Sequence, residues 1–275
     1  MCMSGQRYDA TAGDLAETCV EGLSLGNDSD GDGVVDALDN CPTVANADQG
    51  NEDGDKYGDA CDPCPPVADD TFVDSDNDGI DDQCDPHIGQ IDHIVLFEGF
   101  HHGIPTGWTN AGWVASGDSV SFDGMGFGSG SADTTAILSV PYTGMTSVTA
   151  SAGIAPTTLP IGGTAGVITT VKDRDALLCA VTYAISGTTT QSNMIMTDTK
   201  SGTLASKPWA VNTTSTYTLA QTWNLGLAAS CTISEGGVSA IAPVTLAFPN
   251  NETQAVGVYA KSFAVQMQWV MLTSL

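Results

Sequence analysis

The chain has 275 residues, 33 of them acidic and seven basic, for a formal net charge of −26. Such acidity argues against nucleic acid or an anionic membrane as a partner, and no run approaches the eighteen apolar residues of a membrane span. The charge is uneven: residues 1–90 carry 23 of the acids and two bases, Arg7 and Lys56, for a net of −21, whereas the remainder nets −5.

The first five residues, Met1-Cys2-Met3-Ser4-Gly5, lack the charged start and apolar stretch of a secretory leader. The expectation is a removed leader or a piece of a longer chain. Residues 1–27 read as a small segment with one or two helical turns over Ala12–Cys19, capping the acidic region that begins at residue 28.

From residue 28 an acid recurs at every second position in three runs, DSDGDGVVDALDNCP, NEDGDKYGDACDPCPP and DSDNDGIDDQCD. Positions 1, 3, 5, 9 and 12 of the first loop are Asp28, Asp30, Asp32, Asp36 and Asp39. In the second they are Asn51, Asp53, Asp55, Asp59 and Asp62, and in the third Asp74, Asp76, Asp78, Asp82 and Asp85. Position 7, where a calcium loop offers a backbone carbonyl, holds Val34, Tyr57 and Ile80. Ca²⁺ takes about six to eight hard oxygens, and alternate residues of a tightly wound loop can point inward together. Without a cation so many carboxylates would only repel one another. An acidic linker is the plainer reading of a charge run, but three copies agreeing at five positions favour several calcium ions. The turn glycine at position 6 is present as Gly33 and Gly79. In the second loop Lys56 replaces it, with Gly58 two residues on. The lysine is expected to take a strained turn conformation and to bring a positive charge to the ion.

Asn-Cys-Pro, Ala-Cys-Asp-Pro and Gln-Cys-Asp-Pro come after the loops. Proline there blocks the flanking helices that an EF-hand or a dockerin needs. Over residues 28–85 the acids, glycines, cysteines and Asn-Cys-Pro together resemble the thrombospondin type 3 repeat. The resemblance implies calcium ions wrapped by a chain of little regular structure, with disulfides between successive cysteines. Lys56 and the Cys-Pro-Pro at Cys64 depart from the pattern. Sequential pairing accounts for all eight cysteines: Cys2–Cys19, Cys41–Cys61, Cys64–Cys84 and Cys179–Cys231. A zinc site would want paired CxxC motifs near histidines; the one CxxC, Cys61 to Cys64, has no partner pair. Disulfides imply an oxidising compartment. Residues 28–86 are therefore expected to form a calcium-binding stalk, and residues 87–93 a hinge.

From Ile94 onward Thr, Ser, Gly, Val and Ala dominate, and short segments alternate apolar with polar residues. They are 94–97, 120–122, 136–140, 166–171, 177–184, 193–197, 217–223, 228–234, 254–259 and 264–271. Glu235-Gly236-Gly237 and the charged run Lys172-Asp173-Arg174-Asp175 read as turns between them. Many short strands without a helix predict an all-β sandwich. FEGFHHGIPTGWTNAGWVASGDSVSF, GVITTVKDRDALLCAVTY, STYTLAQTWN, LAASCTISEGG and QAVGVYAKSFAVQMQWVML succeed one another in the order of bacterial laminin-G-like, concanavalin A-like jelly rolls. The resemblance implies a two-sheet antiparallel jelly roll over 94–275.

A glycosidase needs two carboxylates facing each other across a cleft. Within 94–275 only Asp173 and Asp175 have the i, i+2 spacing that puts both on one face of a strand, and they read as turn residues. His93, His101 and His102 cluster at the start of the region without a GxSxG elbow, and His101-His102 reads as a solvated loop pair. No catalytic residue is assigned, and a non-enzyme is expected. Trp108 and Trp113 flank loops and are the candidate platforms for a sugar ring; Trp223 and Trp269 lie in strand-like runs and read as core. The chain is thus read as a mostly β, secreted or cell-surface protein of bacterial type. An irregular, disulfide-stapled calcium stalk would present an antiparallel β-sandwich to a glycan or protein ligand. A structural spacer and a jelly-roll glycoside hydrolase are the alternatives.

Overall fold

In the computed structural model the described residues are 6–8, 19–21, 26–69, 71–124, 135–142, 147–159, 161–171, 174–186, 189–198, 202–224, 228–235, 238–244 and 253–275. The expected Cys2–Cys19 bridge, the helical turn before Cys19 and residues 172–173 and 236–237 of the expected turns lie outside them, whereas Arg174 and Asp175, also read as turn residues, begin the strand Arg174–Ser186. A two-stranded antiparallel ladder joins β1 (Gln6–Tyr8) to β2 (Cys19–Glu21). Among the described residues, 26–92 contain neither helix nor strand, only turns and bends.

The remaining strands form two antiparallel sheets. The first contains β4 (Thr109–Ala111), β7 (Thr135–Pro141), β9 (Thr164–Val171) and β10 (Arg174–Ser186). It is completed by β11 (Thr189–Asp198), β12 (Gly202–Pro208) and β16 (Thr253–Lys261), in the order β12-β11-β10-β9-β16-β7-β4. The second contains β3 (His93–Glu98), β5 (Val114–Ala115), β6 (Val120–Phe122) and β8 (Ser147–Pro156). It also contains β13 (Tyr217–Asn224), β14 (Ala228–Glu235), β15 (Val238–Val244) and β17 (Val265–Ser274). Its order is β15-β14-β13-β8-β17-β6-β5, with β3 also paired to β17.

Period-two alternation explains both faces of the second sheet. Val148, Ala150, Ala152 and Ile154 on β8 join the core with Leu219 and Trp223 on β13 and with Val270 and Leu272 on β17. Thr149, Ser151 and Gly153 must then stand on the opposite face, as must Trp269, Met271 and Thr273. All ten segments predicted from alternation fall on strands. The central strand β8 is not among them. Its SVTASAGIAP run is built of small residues and is buried along nearly its whole length.

The Cys179–Cys231 disulfide joins β10 to β14 and so staples the two sheets through the core, with both residues fully buried. Beside it, Gln221 Nε2 donates to Thr169 Oγ1 at 3.0 Å across the same interior. The repeat region has no comparable interior. Among its described residues the buried apolar side chains are Cys41, Cys64, Pro65 and Ile80, and two disulfides, Cys41–Cys61 and Cys64–Cys84, stand in for a core. The bridge across the sandwich closes a loop of 52 residues, worth about 4 kcal/mol on the chain-entropy account. Paired Cys179→Ala and Cys231→Ala substitutions are expected to lower the thermal midpoint of the sandwich by several degrees and to leave calcium titration of the repeats unchanged. Calorimetry with and without calcium checks both.

Candidate functional site: acid loops and the clefts beside them

The three loops repeat one hydrogen-bonding scheme. At position 5, Asp32, Asp55 and Asp78 each accept the N–H two residues on, from Val34, Tyr57 and Ile80, at 2.7–2.8 Å. At position 12, Asp39, Asp62 and Asp85 accept from Cys41, Cys64 and His87 at 2.7–2.8 Å. Asp30 and Asp53 at position 3 accept from Asp32 and Asp55. One oxygen of each of these carboxylates is therefore held by the backbone within its loop, and the second oxygens of Asp32 and Asp78 accept the more distant Asn46 and Asp92 amides. The second oxygens of Asp30, Asp39, Asp53 and Asp55 are buried without a hydrogen-bond partner. Oxygens of Asp28, Asp30 and Asp32 lie within 4.8 Å of one another, as do those of Asp53, Asp55 and Asp62 and those of Asp74, Asp76 and Asp78. Buried, unpaired carboxylate oxygens at this density are costly unless a cation joins them. The donor set is all hard oxygen, which suits a divalent ion of the calcium type and not one that prefers nitrogen or sulfur.

Position 9 does something else. Asp36 accepts the Ser29 N–H at 2.7 Å, the Ser29 hydroxyl at 2.9 Å and the Asn27 amide at 3.0 Å. The Ser29 hydroxyl chiefly holds its carboxyl below the usual range, against the opposing effect of desolvation. Asp82 does the same with Ser75, and Asp59 accepts the Glu52 N–H at 2.8 Å. These three acids were expected as ligands. The structure turns both Asp36 oxygens and both Asp82 oxygens onto the residue at position 2, where they brace the loop entrance.

The strain expected at Lys56 is also absent. Position 4 is left-handed in every loop, at Gly31, Gly54 and Asn77, but position 6 is so only at Gly33 and Gly79. Asn51 explains the difference: its Nδ2 donates to the Asp55 carbonyl at 2.8 Å, a bond no aspartate could make, so the second loop winds without a left-handed sixth residue. Lys56 Nζ stands 4.5 Å from the centre of the Tyr57 ring. Gly58 is required for contact, since a side-chain carbon there would meet Asn40 Oδ1 at 2.3 Å.

The segment read as a hinge is anchored. Gly89 N donates to Asp76 Oδ2 at 2.9 Å and Asp92 N to Asp78 Oδ2 at 2.6 Å. Asp92 is fully buried and meets His87 Nδ1 at 2.9 Å. Beyond it the repeats rest on the sandwich in two places. A cleft of about 490 Å³ is lined by Asp48, Gly50 and Asp59 on one side and Ile94–Glu98, His101 and Pro105 on the other. His101, read as a solvated loop residue, is largely buried: its Nε2 lies 3.2 Å from Asp59 Oδ2 and 3.7 Å from Glu52 Oε2, and its Nδ1 lies 3.7 Å from Asp118. Burial, with Asp59, Asp118 and Asp53 nearby, pushes the Glu52 carboxyl up to about 8. Burial raises Asp59 and Glu98 as well. A second cleft, of about 560 Å³, lies between the third repeat and the outer face of the second sheet.

The tryptophan platforms do not survive. Trp113 is 2% exposed in the core, and Trp108 packs edge-on to Phe100 at 5.9 Å. Their indoles satisfy the apolar interior at the loop ends of the sandwich. Trp269, read as core, is buried at 6% exposure and also lines the second cleft.

Residues 18–49 match the family model of the thrombospondin type 3 repeat. The match takes in the first loop, and the second and third loops continue its hydrogen-bond scheme. No curated protein matches the chain. Among solved structures, the chain is similar to a GH43 glycoside hydrolase engineered for endo-xylanase and exo-arabinofuranosidase activity, at a TM-score of 0.51 and 12% identity. The similarity covers 66% of this chain and 41% of that one. It is also similar to GH43B of the Bacteroides ovatus xyloglucan locus (TM-score 0.49, 14% identity, 71% and 42% covered) and to the carbohydrate recognition domain of Emp47p (TM-score 0.43, 9% identity, 62% and 89% covered). The chain thus spans about two fifths of the length of these GH43 chains. These likenesses are of fold.

The expectation of a non-enzyme is corrected: a glycoside hydrolase is among the structures that share this fold. The ground for that expectation also fails in the geometry. It looked for paired carboxylates on one strand of 94–275, whereas Asp59 and Glu98 come to one cleft from separate parts of the chain.

The crowding of acids fixes a pH dependence for the calcium-free protein. Burial, then Asp53, Asp55 and Asp59, lift the Asp62 carboxyl to about 6, and Glu52 stands at about 8. A folded-state value above the unfolded one means that the folded state holds the extra protons. The resulting stability is complete below the ordinary carboxylate range, about 4, and is lost as pH rises through 6 and then 8. In EGTA, protease resistance of residues 28–85 should therefore be greater at pH 5 than at pH 8, and saturating calcium should remove the difference.

Proposed function

We propose that this is an extracellular calcium-binding protein whose three acid loops each hold Ca²⁺ and whose β-sandwich recognises a glycan or protein ligand. One observation carries the calcium assignment: in each loop backbone amides hold one oxygen of the alternate aspartates, and in the first two loops buried second oxygens are left without a partner. Asp28, Asp30, Asp32 and Asp39 would serve the first loop, with Asn51, Asp53, Asp55 and Asp62 for the second and Asp74, Asp76, Asp78 and Asp85 for the third. The carbonyls of Val34, Tyr57 and Ile80 would complete them. Bound calcium neutralises the crowded charge and makes the loops rigid. Disulfides within the repeats support a secreted or cell-surface setting. Among the described residues no helix is long and apolar enough to cross a membrane.

Rigid loops matter because the repeats lie against the sandwich at both clefts. Residues 28–86 and 94–275 are best taken as segments of one assembly, with 87–93 as a fixed joint. Asp30→Ala and Asp76→Ala are each expected to weaken calcium binding at one site by tenfold or more, with Asp36→Asn affecting it less. Calorimetric titration separates ligands from braces.

A second reading, glycoside hydrolysis, is favoured by the first cleft. Asp59 and Glu98 line it together, both with carboxyls raised by burial, and two carboxyl groups in one cleft are what acid–base cleavage of a glycosidic bond uses. Reducing-sugar release from polysaccharides, abolished by Glu98→Gln while calcium binding is kept, is the outcome expected on this reading.

A further inference from the structure

The outer face of the second sheet should be ordinary solvent-facing β-sheet, yet its centre is buried. Thr273 is 1% exposed and Ser151 4%, and Trp269 and Met271 are each 6% exposed. These residues stand side by side: Met271 pairs with Ser151 and Thr273 with Thr149 across β17 and β8. The third repeat overhangs them. Pro66, Val67, Gln83, Asp85 and Pro86 form one wall of the second cleft, and Thr218, Ser234 and Glu235 on β13 and β14 extend its floor.

Two features make this cleft a site and not just a seam. Ser151 Oγ and Thr273 Oγ1 are buried, line the cleft and have no hydrogen-bond partner. A buried hydroxyl without a partner costs free energy, so a polar ligand entering here would relieve that cost. Trp269 adds an aromatic surface on the same wall, itself stacked on Phe97 at 6.2 Å. A large apolar surface with a few convergent polar groups is the usual make-up of a small-ligand cleft.

The chemistry of the lining narrows the ligand. Seven of the lining residues carry a Ser or Thr hydroxyl, two more are the carboxylates Asp85 and Glu235, and one is the amide Gln83. No basic side chain is among the described residues lining the cleft. Carboxylates accept from hydroxyls and repel anions, and a chain of net charge −26 repels them further. We propose that the cleft between the third repeat and β8–β17 binds a neutral saccharide, its hydroxyls meeting Ser151, Thr273 and Glu235 and its ring face meeting Trp269. This rests on the reading of the protein as a calcium-loaded recognition module, and it gives that module a place and a ligand class.

The test uses the calcium-loaded full chain on an array of neutral glucan, xylan and mannan oligosaccharides, with oligogalacturonate as the acidic comparison. Binding to a neutral member and not to oligogalacturonate is expected. Calorimetric affinity for that oligosaccharide should fall about tenfold with Ser151→Ala plus Thr273→Val and with Glu235→Gln. Gln83→Ala, an exposed change on the repeat wall, should weaken it measurably while calcium titration stays as in the parent chain. Preference for oligogalacturonate, no neutral binding, or neutral binding indifferent to both Glu235→Gln and Gln83→Ala would overturn the proposal. Those results would leave the calcium reading standing; that reading fails separately if calcium titration shows no uptake.

Discussion

Everything in the first third of this molecule depends on carboxylate repulsion held in check by backbone amides. Each loop brings four or five acids together in a segment that buries almost no apolar surface. The winding is set by N–H groups that donate two residues back, to Asp32, Asp55 and Asp78 and to Asp39, Asp62 and Asp85. In Asp30, Asp39, Asp53 and Asp55 the remaining oxygen is buried without a hydrogen-bond partner. Structure and metal affinity are therefore one property here, and a cation completes the fold as much as it occupies a site.

That arrangement carries over to the sandwich. In the third loop, oxygens of Asp76 and Asp78 accept amides from residues 89 and 92, so the connection into β3 is fastened to an acid loop. In the second loop, Asp59 and Glu52 face His101 from the sandwich. The sandwich has its own core and its own cross-sheet disulfide, but its outer face is finished by the repeats. A change in loop charge is felt at both clefts for this reason.

The two clefts differ in what they can do. The first concentrates titratable groups whose carboxyls are raised by burial, a setting suited to proton transfer. The second concentrates hydroxyls and an indole over a sheet, a setting suited to holding a neutral polyol. Their common wall is the repeat region, which supplies Asp59 to one and Asp85 to the other.

The sequence by itself determined the loops and the sandwich. Acids at fixed offsets, proline after each loop and period-two alternation are local signals, and they located three acid clusters and ten strands. It did not show β8, because a strand buried on both faces loses the alternation that marks a half-buried one. Its misreadings were of direction. Asp36, Asp59 and Asp82 have the right spacing for ligands, but the nearest donors are the N–H groups at position 2, and two of these are backed by a serine hydroxyl. Trp113, read as a platform, is buried in the core, and Trp269 is buried as expected but on the outer face of its sheet, because burial depends on which face of a strand or loop meets a partner. Only the tertiary structure decided that the repeats lie on the sandwich, and with it the burial of Ser151 and Thr273 and the meeting of Asp59 with His101 and Glu98. Residues some forty to two hundred positions apart come together there through docking, and docking depends on the complementary shape of two folded surfaces, which no local pattern in a chain encodes.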